Sequence, residues 1–181
     1  MIKVIQYNAY LLLYFLWNVN NATQSILNFV VTPLLLILHS VLNFFGQNVS
    51  WEKRRAQMDR CLYDSEIGTS MLISRNTFGG LAGLLEVAAF NFVQAIIGVQ
   101  LYSFVCENVV GLVLFVVFIG GVGYILNSLL IDDSKVPSYF KRFSKEFKGK
   151  EWKYRLKCVI ILLSIISIVV CSFVVMAYSC L

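Results

Sequence analysis

The sequence predicts an all-α integral membrane protein: a four-helix transmembrane bundle with a short interfacial basic amphipathic helix between the third and fourth spans. Three observations carry that expectation. The 181 residues are 59% hydrophobic and only 14% charged, whereas about a quarter of a soluble domain is charged. Four stretches stay apolar over roughly the 20 residues that crossing a bilayer takes. The basic residues fall almost wholly into two loops.

The expected spans are residues 25–45, 78–104, 109–131 and 158–181, within a single polytopic membrane domain over 1–181. The first is the least regular. An apolar patch at 9–17 precedes the polar interval "NVNNATQS", and nine residues are too few to cross hydrocarbon. The patch therefore reads as a helical extension or an interfacial segment. Pro33 removes a backbone donor inside the span, so a kink is expected near Phe29 to Pro33. One Lys before a short apolar run, with no small-residue cleavage site after it, makes a poor secretory signal, and the N-terminus is expected to be retained.

Basic residues in short loops stay in the cytoplasm. Loop 46–77 carries Lys53, Arg54, Arg55, Arg60 and Arg75, and loop 132–157 carries nine more. The expected placement is the cell membrane, multi-pass, with these loops cytoplasmic and both termini on the other side. Lys3 alone speaks against it.

On a helix each residue turns about 100°, so spacings of 3, 4, 7 and 11 share a face. Asn21, Ser25, Asn28, Thr32, His39 and Asn43 fall within an arc of roughly 60° in the first segment. In the second span Gly79, Gly83, Glu86 and Gln94 share an arc of about 80°. Asn28, Thr32, His39, Asn43, Glu86 and Gln94 thus form a candidate intramembrane polar stripe, since such groups turn away from lipid. A charged Glu86 would cost about 2.5–3.5 kcal/mol within the bilayer, so it must be protonated, wet or paired, with Arg75 within reach. Gly79 and Gly83 make a small-x-x-x-small pair that admits close helix approach. Gly120, Gly123 and Asn127 read as a second packing face, and Ser164, Ser167, Cys171 and Tyr178 as a milder third.

Between the last two spans Val136, Tyr139, Phe140, Phe143 and Phe147 recur at helical spacing. Lys141, Arg142, Lys145 and Lys148 fill the positions between them. Pro137 suits a first turn and Gly149 an exit. Such a basic amphipathic helix suits a membrane surface. Its aromatics fill one apolar face and are not set out as stacking platforms, which argues against nucleic acid.

The five Cys and single His keep no metal-ligand spacing, so no metal or cofactor is expected. No phosphate loop, nucleophile elbow or acid/base pair is found, so no catalytic residue is assigned and an enzyme is not expected. Cys106 and Cys180, on one side of the membrane, are a candidate disulfide. The expected surroundings are the lipid bilayer and a membrane-protein partner or second copy. The expected role is a non-enzymatic subunit or assembly partner of a membrane complex. The alternative is an oligomeric transporter or channel with a polar path lined by the first two spans.

Overall fold

The computed structural model describes residues 2–44, 49–66, 68–98, 105 and 108–179, and all regular structure among them is helical. In chain order the helices are α1 (Ile2–Phe44), α2 (Trp51–Tyr63), α3 (Thr69–Ile97), α4 (Val109–Leu130), α5 (Val136–Glu146) and α6 (Glu151–Ser179), with one 3-10 turn (Asp133–Lys135) before α5. Four of them, α1, α3, α4 and α6, are long and apolar enough to cross a membrane.

The apolar patch at 9–17 and the segment from 25 onward belong to one continuous helix. The polar interval between them does not break it, because its side chains bond to the helix's own backbone. The Asn18 amide donates to the Tyr14 carbonyl at 2.8 Å and the Thr23 hydroxyl to that of Val19 at 3.0 Å. Backbone bonding of this kind lets short polar residues sit inside a helix. Pro33 also lies within α1 without ending it.

Helix α2 folds back along α1. Ser50 caps it by accepting from the Lys53 amide, with Glu52 in the first turn and Arg60 in the last, charges that suit the two ends of the helix dipole. Gly68 then leads into α3, and a Cβ there would lie 2.5 Å from the Asp64 carbonyl oxygen. Only glycine lets the chain turn so tightly between α2 and α3. Helix α3 is central and packs against α1, α2, α4 and α6. It ends at Gly98, whose φ of 71° is left-handed and glycine-suited. Asn108 caps α4 by accepting from the Val110 amide at 3.0 Å.

The densest core is not midway along these helices but at one end. Ala9 to Tyr14 and Leu16 of α1 are buried with Met71 and Phe78 of α3, Val136, Phe140 and Phe143 of α5, and Tyr154 and Cys158 of α6. Each such large side chain, fully removed from water, contributes roughly 1.5–3 kcal/mol.

Candidate functional site

Three places in the fold gather polar or charged groups, and the first is the joint between α1 and α5. The spacing of Val136, Phe140 and Phe143 puts all three on one buried face of α5, and α1 covers that face. Tyr7 meets Phe143 edge-on at 5.3 Å, Tyr10 stacks on Tyr139 at 4.1 Å, and Tyr14 and Trp17 both lie 5.1 Å from Phe140. Aromatic pairs of this geometry add about 0.5–1.5 kcal/mol each beyond area burial. Lys141, Arg142, Lys145 and, just past the helix, Lys148 are exposed. Arg142 pairs with Glu146 at 3.4 Å and lies 5.8 Å from the Tyr7 ring, which Lys157 also approaches at 5.2 Å.

A charged turn closes this joint. Asp132, just past the end of α4, accepts from Lys135 at 2.8 Å and from the Ser134 hydroxyl at 2.6 Å. These bonds, that from Lys135 first, hold its carboxyl down at about 2. Arg75 of α3 pairs with Asp133 at 3.0 Å. Arg75 is thus engaged near the start of α3 and does not serve Glu86, its candidate partner by sequence.

The second place is the polar face of α3. Glu86 is buried, and neither carboxylate oxygen has a hydrogen-bond partner among the described residues. It faces α4, where a Cβ on Gly123 would lie 3.1 Å from its Oε1. Phe90 and Phe115 continue the α3–α4 contact at 5.0 Å. Gln94 is buried one turn further along. Asn91, also buried, donates to Ser172 of α6 at 3.1 Å.

The sequence reading missed Asn91 and Ser172. A single Asn in the middle of an apolar run was the signal, since an intramembrane amide needs a partner on another helix. The face assigned to α6 also needs correcting: Ser164, Ser167, Cys171 and Tyr178 are exposed, and Ser172 is buried. Ser164 can face outward because its hydroxyl bonds the Ile160 carbonyl one turn back at 2.9 Å.

The third place is the stripe on α1, which the structure sets against α2. Asn28 donates to the Tyr63 hydroxyl at 2.7 Å, Thr32 bonds the Asn28 carbonyl, and His39 lies 3.0 Å from the Asn43 amide and 5.5 Å from the Trp51 ring. A groove of about 290 Å³ runs between α1 and α2, lined by His39, Trp51, Arg54 and Cys61 among others. Glu86 faces α4 instead, and Gln94 is buried further along the same helix, α3, so the six stripe residues divide between two places.

Of the packing glycines, Gly123 meets Glu86, while a Cβ on Gly79, Gly83 or Gly120 would meet nothing within 4 Å. Asn127 is half-buried, and its carbonyl accepts from the Ile131 amide at the end of α4. Cys106 and Cys180 lie outside the described residues. Among the described residues no three His, Cys, Asp or Glu side chains come together to hold a metal. Comparison with protein-family models, curated proteins and solved structures returned no match.

Proposed function

We propose that this chain is a small multi-pass protein of the cell membrane that works by association, as a non-enzymatic subunit or assembly partner of a membrane complex or as a homo-oligomer. One observation supports this above the others. Gly79 and Gly83 are half-buried, and a Cβ at either would meet nothing within 4 Å. Small residues let helix backbones approach closely in lipid, and the described helices do not use this pair. The loops 46–77 and 132–157 lie in the cytoplasm, with the C-terminus on the other side. Lipid surrounds the outward faces of the spans, and the exposed Lys141, Arg142 and Lys145 of α5, with Lys148 just beyond it, face the anionic headgroup layer.

The test is brief crosslinking in the native membrane, gentle extraction and mass determination of the intact assembly. A stoichiometric second protein or a defined homo-oligomer is the expected result, and a lone chain would overturn the proposal.

Glu86 favours a second reading, transport through an oligomer. A buried carboxyl without a partner, beside a glycine, is a place for a proton or a cation. The path drawn from sequence, through Asn28, Thr32, His39 and Asn43, then needs a contribution from a neighbouring copy, because α2 covers that stripe in one chain. Proton or cation flux into liposomes should vanish in Glu86→Gln, and flux that survives unchanged would end the transport reading.

A further inference from the structure

Helix α1 has 43 residues, and at about 1.5 Å per residue it is roughly twice as long as the hydrocarbon is thick. Its contacts show how it lies. The Arg75–Asp133 pair sets the start of α3 level with the end of α4. Asn91 lies opposite Ser172, and counting back along these parallel helices puts Arg75 level with about residue 156 of α6.

The first half of α1 reaches this one level at point after point. Gln6 donates to the Leu129 carbonyl at 3.0 Å, Tyr10 bonds Asp132, the Leu11 carbonyl receives the Cys158 thiol at 3.8 Å, Tyr14 packs on Tyr154, and Asn20 donates to Ser74 at 2.8 Å. From Gln6 to Asn20 the helix advances about 20 Å, while the positions it touches stay within about one turn of a single level. A helix standing upright among the others would instead climb towards Asn91, Phe115 and Ser172. The pairs found there join α3 to α4 and to α6. Helix α1 therefore lies across the ends of the other three.

We infer that α1 is not a fourth span but an in-plane helix on the bilayer surface, on the side of the two basic loops, so that the chain crosses three times. The second half of α1 carries the lipid contact. Gln6 and Asn20, which rest on α4 and α3, are two seven-residue repeats apart and so share a face. The same face continues beyond them as Leu27, Val31, Leu34 and Leu38, all exposed. That face of α1 is thus apolar where the spans end and can rest on the hydrocarbon boundary, while Ile26, Phe29, Val30 and Ile37 on its other sides are exposed as well. Helices α2 and α5 cover another face, through Asn28 and His39 and through Tyr10 and Tyr14.

Two further points count against a crossing. Trp51 lies at His39 and Tyr63 at Asn28, so an upright second half would draw α2 into hydrocarbon with its exposed Glu52, Lys53, Arg55, Asp59 and Arg60. An in-plane α1 also brings Lys3 to the side of the other fourteen of the 15 basic residues, and the charge rule then holds without exception. That asymmetry matches an anionic leaflet.

The inference is tested on the full chain, with native thiols replaced, reconstituted in vesicles of phosphatidylcholine and phosphatidylglycerol. Nitroxide labels at Leu27→Cys and Leu38→Cys should report one shallow depth, about 5–10 Å below the headgroups. A depth difference on the order of 16 Å, the rise of a crossing helix between those positions, would overturn the inference. Labels in bulk water would overturn it equally, by removing the lipid contact. An impermeant maleimide should reach Lys3→Cys from the side that exposes Lys148→Cys, and reaction from the side of Ser179→Cys would mean that α1 crosses. None of these outcomes depends on whether the chain assembles with a partner.

Discussion

Tyr10 stacks on Tyr139 with ring centroids 4.1 Å apart and planes 9° from parallel, while its hydroxyl donates to the Asp132 carbonyl at 3.2 Å and accepts from the Asp132 amide at 2.7 Å. One side chain of α1 thus holds both α5 and the turn that ends α4. Removing the hydroxyl in Tyr10→Phe keeps the stack and loses two bonds. The expected cost is about 1–2 kcal/mol, since each such bond is worth about 1 kcal/mol net. Tyr10→Ala also empties a buried site and should cost roughly 3–5 kcal/mol. Denaturation of both variants in mild detergent checks the order, and equal losses would mean that the stack contributes nothing.

That joint also marks how far the sequence could be read. The spacing of Val136, Phe140 and Phe143 defines an apolar helix face, and hydropathy alone finds four helices able to cross a membrane. Periodicity says that a face is apolar, not whether lipid or protein covers it. The patch at 9–17 was too short to span, and nothing local in the sequence pairs it with α5, which follows more than a hundred residues later. The same holds for the polar stripe. The spacing of Asn28, Thr32, His39 and Asn43 is local, but Tyr63 and Trp51 reach them only because α2 folds back.

The turn at Asp132 should persist into acid. Its carboxyl is held at about 2, mainly by the bond from Lys135 and then by that from Ser134. A carboxyl with a lowered folded pKa stabilises the fold above its unfolded pKa, near 3.9, and loses that contribution as pH falls through the folded one. Wild type and Asp132→Asn should therefore differ in thermal stability at neutral pH and converge only as the pH falls from about 4 towards 2. A difference that disappears well above pH 4 would count against the assigned bonds.

The Asn91–Ser172 bond joins two apolar helices with both groups fully buried. Interhelical bonds in a bilayer average about 0.6 kcal/mol and reach about 1.7. Asn91→Ala should cost within that range, since the Ser172 hydroxyl keeps its bond to the Val169 carbonyl at 2.7 Å, and Ser172→Ala slightly more, because it leaves the Asn91 amide unpaired. The double variant should cost less than the sum. Additive losses in a double-mutant cycle would show that the two groups do not act as a pair.

Gly79 and Gly83 separate the needs of the fold from those of association. A Cβ at either position would meet nothing within 4 Å, and both glycines are half-buried, so Gly79→Leu and Gly83→Leu should cost the isolated chain at most about 1 kcal/mol. A leucine there would nonetheless hold a second helix away and forfeit the close packing that drives association in lipid. The intact assembly should therefore dissociate at least tenfold more readily, a change of about 1.4 kcal/mol. Gly123→Leu supplies the contrast, since it presses on Glu86 within the chain and should destabilise the isolated protein itself. If all three variants assembled like wild type, the Gly79/Gly83 face would not be a contact surface, and the partner would have to dock elsewhere.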